Sequence, residues 1–295
     1  MKNFLSIILL AISVGLVSCT PEYDPDTAVS KYEPVPGRRV ASLRTTYNFN
    51  GNEYSFEHNF SYDAKGRIKS VNSNIVHYVA DKVYFDTVYT RCNITSTADY
   101  FYNGDELKVA YSVAHEFPTA PSRNNRESST DYGVFNDAGV LTRFSTVDFV
   151  YSTTMLQQGF ADNGAYYNVA RDGNGNVTGY TKCRTSTDEV ITDKSGCYFY
   201  SPFKNKTNFD LSAYFGYWGV EQGVRRISVP YYATYQLAAF GMFGSTSGHL
   251  PWGTVEKGPD GTDKYLYGEW ELDSQDYPLS FVDVDGRRTE IVYCE

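Results

Sequence analysis

Apolar and polar residues alternate along much of this chain. Between Tyr54 and Tyr62, aromatic residues and His58 occupy every second position, and polar residues fill the positions between them. A period of two places these aromatic residues on one face of a β-strand. The same alternation recurs in residues 41–47 and 266–272. Further runs typical of strands are residues 83–89, 109–113, 144–151 and 290–293.

Turn signals separate these predicted strands. Asn50-Gly51 is typical of a two-residue hairpin turn, in which both residues need positive φ. A second class of turn has Asp or Asn three residues before a glycine, and an aliphatic residue two residues after that glycine. Turns of this class begin at Asp63, Asn136 and Asp172. Short turns make sequence neighbours pair, and a sheet of about ten or more strands must curl, split or close. The pattern therefore predicts an all-β fold, a long antiparallel meander that curls into an open or partial barrel.

The first residues have the composition of a targeting signal. Lys2 precedes an apolar run over residues 4–17, which is short for a membrane-spanning helix. The run ends in Leu16-Val17-Ser18-Cys19, which resembles the bacterial lipoprotein cleavage box. The resemblance implies that residues 1–18 are removed and that Cys19 is acylated. An ordinary signal peptide with an incidental cysteine is the alternative.

The rest of the chain divides into a linker and one domain. Residues 19–39 contain several prolines and acidic residues, which predicts a tether between lipid and domain. Residues 40–295 are predicted to form a single antiparallel β domain, with a short helical or loop insertion around 208–255. A membrane-spanning barrel is the alternative, but the apolar strand face is rich in tyrosine and contains His58, which hydrocarbon disfavours. The lipid anchor is therefore expected to be the only membrane contact.

Charge and composition exclude some functions. The chain has 26 Lys and Arg against 35 Asp and Glu, a formal net charge of −9. Nucleic-acid binders generally need a basic surface, so a nucleic-acid partner is not expected. With 27 tyrosines and 18 phenylalanines, the composition favours strands over disorder.

Several short motifs resemble a known family. They are the cleavage box, the Asp-x-x-Gly turns, Asn-Phe-Asp-Leu at 208–211, His-Leu-Pro at 249–251 and Tyr277-Pro278. Together they resemble a domain of unknown function with a porin-like β fold, found in lipoproteins of gut Bacteroidetes, over roughly residue 40 to the end. The resemblance implies a curled antiparallel sheet and no established activity. With the cleavage box, it predicts an outer-membrane lipoprotein on the cell surface or the periplasmic face.

No local motif for catalysis or metal binding is present in the sequence. The four histidines lack zinc-ligand spacing. Residues 172–176 begin like a calcium loop, but the glycine and glutamate that such a loop requires later are missing, which favours a hairpin turn. Asp283 and Asp285 form an acidic pair beside a turn. No metal, cofactor or catalytic residue is therefore predicted. The favoured function is a non-catalytic binding or scaffold module for glycan or protein, and the alternative is an envelope hydrolase with separated Asp and Glu residues.

Four cysteines remain besides Cys19, and an oxidising compartment would allow them to pair. Cys183 and Cys197 flank a polar stretch, and a hairpin between them predicts a disulfide. Cys92 and Cys294 would then pair or stay free. Four buried thiols are the alternative.

Two tripeptides resemble the O-glycosylation motif of Bacteroidetes envelope proteins. They are Asp-Thr-Ala around Thr27 and Asp-Thr-Val around Thr87. Three-residue matches also arise by chance, so both threonines are only candidate modification sites.

The segment 229–255 contains no charged residue. One interpretation is a plug that packs against the aromatic face of the sheet and completes the core. The other is a partly exposed aromatic platform that stacks on sugar rings or seats an apolar side chain of a partner. The residues of this candidate platform are Trp218, Trp252, Tyr231, Tyr232 and Tyr235.

Overall fold

A computed structural model gives the fold of the chain. It describes residues 28–83, 86–145, 147–151, 157–162, 165–184, 190–192, 197–212, 236–244, 246–257 and 263–295. No helix within these ranges has the length and apolar character that crossing a membrane requires.

Nearly all of the regular structure in these ranges is β-strand, which confirms the predicted all-β class. A short 3-10 helix covers Pro121–Arg123. The strands are β1 Val40–Phe49, β2 Asn52–Tyr62, β3 Ile68–Val83, β4 Asp86–Asn103, β5 Glu106–Glu116, β6 Asn125–Phe135, β7 Leu141–Phe144, β8 Val147–Tyr151, β9 Gln157–Asp162, β10 Ala165–Arg171, β11 Val177–Arg184, β12 Val190–Thr192, β13 Cys197–Lys204, β14 His249–Lys257, β15 Asp263–Leu272, β16 Pro278–Asp283 and β17 Arg288–Tyr293.

The strands form an antiparallel meander that curls back on itself. From β1 to β11 each strand pairs with the next along the chain, and the same holds from β13 to β17. β17 also pairs with β1, from Val40 opposite Tyr293 to Thr46 opposite Arg288. The join between β11 and β13 is narrow, because Gly179 and Cys197 are the only described residues paired there, while β12 lies beside β11. The predicted curled meander is therefore confirmed.

The apolar residues of the strands point to one side and form the core inside the curl. On β5, Leu107 and Val109 are buried, whereas Glu106 and Lys108 between them are exposed. On β2 the aromatic face predicted from the sequence points inward, and His58 is buried on it. The imidazole lies 2.8 Å from the Ser73 hydroxyl, so this histidine is a hydrogen-bonded core residue.

One turn design recurs at the ends of the strands. In each case an Asp or Asn side-chain oxygen accepts the backbone N–H groups two and four residues later, and a residue with positive φ follows three positions on. The turns predicted at Asp63, Asn136 and Asp172 have this geometry. Two further turns, at Asp273 and Asp283, repeat it. The acidic pair at 283–285 is therefore part of a turn.

Two runs that were each predicted as one strand are divided between two strands of the structure. Residues 83–89 cover the end of β3 and the start of β4. Residues 144–151 cover the end of β7 and all of β8, and Ser145 turns the chain there with a φ of 53°. Both runs lack a glycine or proline at the reversal, so the hydrophobic pattern alone suggested one strand.

The insertion begins where predicted and ends earlier. Residues 211–212 and 236–239 are helical, and the chain rejoins the sheet at His249 as β14. The described part is a plug: Phe209, Leu237 and Phe240 are buried inside the curl. The Phe240 ring lies 5.5 Å from Phe60 of β2 and 5.1 Å from Phe209. The plug interpretation is thus correct for residues 236–244 and 246–248, while β14 belongs to the wall of the sheet.

The described part of the predicted tether packs against this plug. Tyr32 is buried, and its ring stacks at 5.8 Å on Tyr102 and at 5.6 Å on Phe135. Its hydroxyl donates to the Phe240 carbonyl oxygen at 2.6 Å. Residues 28–39 therefore cover the plugged end of the sheet, and the domain contacts begin before residue 40.

Candidate functional site

Trp252 projects from the outer wall because β14 carries a bulge. Phe199 of β13 pairs with Gly253, and Tyr200 pairs with Pro251, so Trp252 has no partner on β13. A bulged residue is re-aimed out of the regular strand alternation. The Trp252 side chain is 46% exposed, and its ring stacks on Tyr267 of β15 with centroids 5.7 Å apart and planes 25° apart.

Trp252 borders a cleft that is lined by residues of β13, β14 and β15. Two of these residues, Tyr200 and Trp270, also pack against the core. The cleft has a volume of about 490 Å³. Gly268 of the lining packs closely against β16, since a Cβ there would lie 2.3 Å from the Val282 carbonyl oxygen. The lining residues are Tyr200, Ser201, Pro202, Phe203, Trp252, Gly268, Glu269 and Trp270.

Several polar groups of the lining are already used inside the protein. The Trp270 indole N–H donates to the Pro251 carbonyl oxygen at 2.6 Å, and the Ser201 hydroxyl donates to the Leu250 carbonyl oxygen at 3.1 Å. The Tyr200 hydroxyl donates to the Val177 carbonyl oxygen at 2.7 Å, and burial raises the pKa of this phenol above its usual range. These bonds hold the aromatic walls in place, which preorganises the cleft.

Two polar groups of the lining remain available to a ligand. The Glu269 carboxylate is exposed and has no hydrogen bond or ion pair within the described residues. The Trp252 indole N–H also has no hydrogen bond there. The cleft thus combines exposed aromatic faces with one free acceptor and one free donor. An apolar cleft with a few fixed polar groups is the usual form of a small-molecule site.

A second cluster of polar side chains joins the plug to the wall. Asp210 accepts the Ser212 hydroxyl and, at 2.8 Å, the backbone N–H of Ser247. The Ser212 and Ser247 hydroxyls are 2.9 Å apart, and the Tyr200 hydroxyl lies 3.2 Å from the Ser247 hydroxyl. Asp210, Ser212 and Ser247 are buried. The hydrogen bonds to the buried Asp210 carboxylate fix the position of the plug. Because Ser212 and Ser247 are also buried, this cluster has no exposed nucleophile.

His249 adjoins this cluster but does not contact its serines in the described bonds. Its Nδ1 lies 3.2 Å from the Asn176 side-chain nitrogen. Asn176 in turn donates to Asp172 at 2.9 Å. The arrangement ties β14 to the turn before β11, and it lacks the serine–histidine contact of a nucleophilic site. Across the described ranges, no three His, Cys, Asp or Glu residues have the geometry of a metal site.

The structure describes one of the five predicted platform residues. Trp252 is exposed, as a platform residue must be. Trp218, Tyr231, Tyr232 and Tyr235 lie outside the described residues. The sequence analysis missed four residues of this site: Tyr267, Phe203, Glu269 and Trp270. The residues on β15 belong to an alternating pattern that is visible in the sequence. Which of them contacts Trp252 depends on the bulge in β14.

The predicted modification and disulfide residues have mixed outcomes. Thr87 is exposed near the start of β4, whereas Cys19 and Thr27 lie outside the described residues. Cys92 is buried and Cys294 half-buried, and both are free thiols, so the second of the two considered bridges is absent. Cys197 pairs with Gly179, four residues along β11 from Cys183. Four strand residues span about 13 Å, beyond the roughly 7 Å Cα separation that a disulfide bridges, so this register does not support the first bridge.

Comparison with known proteins extends the description of the fold. No protein-family model matches the sequence, and no curated protein matches it. A solved structure of a porin-like protein from Bacteroides uniformis matches with a TM-score of 0.52 at 9% identity, covering 88% of this chain and 99% of that protein's chain. The chain therefore has a porin-like β fold. At this identity the likeness concerns the fold alone.

Proposed function

We propose that this protein is a lipid-anchored protein of the bacterial cell envelope and a non-catalytic glycan-binding module. The observation that carries the binding proposal is the exposed Trp252 ring, stacked on Tyr267 at the edge of a preorganised cleft. Sugar rings present C–H faces that stack on aromatic rings, and their hydroxyls donate to carboxylates. The cleft supplies both features through Trp252 and Glu269.

Replacing Trp252 by alanine tests the binding proposal. We expect at least about a tenfold loss of affinity for the recognised glycan, because a truncated aromatic anchor typically costs about 2 kcal/mol. A glycan array identifies the oligosaccharide, and titration calorimetry compares the variant with the parent protein. Trp252→Phe should retain part of the affinity.

Tyr132→Ala is the matched control, since Tyr132 is 63% exposed on β6 and does not line the cleft. Both alanine variants should unfold at the same urea concentration as the parent. If Trp252→Ala binds glycan as well as Tyr132→Ala does, the cleft is not the glycan site. If the parent binds no glycan but Trp252→Ala loses a protein partner, the site is a protein-docking surface.

The envelope location rests on Cys19. The segment Leu16–Cys19 resembles a lipoprotein cleavage box, and the porin-like fold is consistent with an envelope protein. Two or more acyl chains anchor a protein firmly, because each buried methylene contributes about 0.8 kcal/mol. Cys19→Ser should move the protein from the detergent-dependent membrane fraction to the soluble fraction. A processed Cys19→Ser protein that stays in the membrane fraction would overturn the proposed anchor.

A further inference from the structure

The charge inside the cleft bears on which glycans can enter it. Among the described residues that line the cleft, Glu269 is the only charged one. No described Lys or Arg side chain forms an ion pair with it, whereas Glu271 on the same strand is paired with Arg288 at 2.9 Å. The hydrogen bond from Arg288 holds the pKa of Glu271 below its usual range. The two glutamates of β15 therefore differ: the charge of Glu271 is compensated by Arg288, whereas the charge of Glu269 is free to act on a molecule in the cleft.

The other residues around the cleft leave the negative charge of Glu269 uncompensated. Besides Glu269, the described lining consists of aromatic residues, a proline, a serine and a glycine, and none of these carries a charge that could neutralise the carboxylate. The whole chain also carries a net charge of −9. A ligand carboxylate or sulfate placed beside Trp252 would meet a like charge without a compensating cation, which is unfavourable. A hydroxyl in the same place donates a hydrogen bond to Glu269.

From this charge pattern we infer that Glu269 determines specificity, and that the cleft binds neutral glycans and rejects acidic ones. The inference rests on the proposed glycan binding at Trp252. The neutral sugar stacks its C–H face on the indole ring and donates hydroxyl hydrogens to Glu269. The Trp252 indole N–H donates to a ring or hydroxyl oxygen. No covalent step is involved.

The test compares neutral oligosaccharides with their oxidised counterparts. Gluco-, manno- and galacto-oligosaccharides of equal length are each titrated against the protein, together with the same oligosaccharide whose primary C6 hydroxyls have been oxidised to carboxylates. In low salt, the oxidised form of the bound sugar should bind about fivefold more weakly or worse. In 1 M salt the difference should shrink, because the Debye length falls to about 3 Å.

Glu269→Gln should reduce the discrimination to less than about twofold while retaining measurable affinity for the neutral sugar. Glu271→Gln is the matched control, since it removes the same charge two residues away and should leave the discrimination unchanged. If the neutral sugar binds but Glu269→Gln leaves the ratio as it was, the inference is wrong and the glycan-binding proposal stands. If acidic sugars bind as tightly as neutral ones, the inference fails in the same way. If no oligosaccharide binds at all, both fail.

Discussion

Replacing Arg67 by methionine should lower the free energy of unfolding by about 3–5 kcal/mol, because it leaves a buried carboxylate without its counter-charge. The Arg67 Nε lies 2.6 Å from the Asp63 Oδ2, and the two side chains are only 2% and 1% exposed. The guanidinium also lies over the Tyr102 ring, 4.6 Å from its centroid. Asp63 is held in place by the turn it caps, so it cannot turn toward water. Urea unfolding followed by circular dichroism measures the loss.

Lys31→Met provides the contrast for this prediction. Lys31 and Asp137 form an ion pair at 2.8 Å, but the Asp137 side chain is fully open to solvent. Surface ion pairs contribute little, since solvent and salt screen them. The midpoint of urea unfolding should therefore change very little in Lys31→Met. An equally small effect of Arg67→Met would show that the buried pair is dispensable for the fold.

Acidification from pH 6.5 to pH 4 should reduce the stability contributed by His58 by about 3 kcal/mol. Burial lowers the pKa of His58 from 6.5 to about 4. The unfolded chain therefore binds a proton on this imidazole first as the pH falls, which favours unfolding. The contribution of His58 to the free energy of unfolding is therefore fully present at pH 7. It declines as the pH falls from 6.5 to 4 and stays constant below pH 4. The measurement is the difference in unfolding free energy between the parent and His58→Gln at pH 7, 5.5 and 4.5.

Ser73→Ala separates burial from hydrogen bonding in this effect. Ser73 is the hydroxyl partner of the His58 Nδ1, and the substitution keeps the imidazole buried. Since burial causes the shift, Ser73→Ala should keep the same pH dependence at a lower overall stability. A parent protein whose difference from His58→Gln does not vary between pH 7 and 4.5 would contradict the assigned pKa.

The plug and the N-terminal segment together close one end of the curled sheet. Tyr100 donates to the Gln236 Oε1 at 2.6 Å, and Tyr32 donates to the Phe240 carbonyl oxygen. Both tyrosines are buried, and burial raises the pKa of both phenols above their usual range. The interior at this end is therefore filled with side chains of the plug, the N-terminal segment and the strands.

The strand class and turn chemistry were predictable from the sequence because they depend on local rules. The alternation from Tyr54 to Tyr62 has a period of two, and only an extended strand puts those side chains on one side. The Asx turns at Asp63, Asn136 and Asp172 were predictable for the same reason, since each side chain bonds its own backbone within four residues. At Asp273 the corner residue is Asp276, with a φ of 61°, instead of glycine, and the signal was missed.

The candidate site depended on contacts between residues far apart in sequence. Trp252 was singled out because it lies in a charge-free segment, yet that segment contains both the buried plug and part of the exposed wall. Trp252 is exposed on the wall because the pairing of β13 with β14 shifts register between Phe199 and Tyr200. This pairing joins strands on either side of the insertion, so the local sequence does not reveal it. Glu269 is one of 35 acidic residues in the sequence. The fold pairs Arg288 with Glu271 and places Glu269 with Trp252 among the residues that line the cleft. The proposed role of Glu269 therefore depends on tertiary structure.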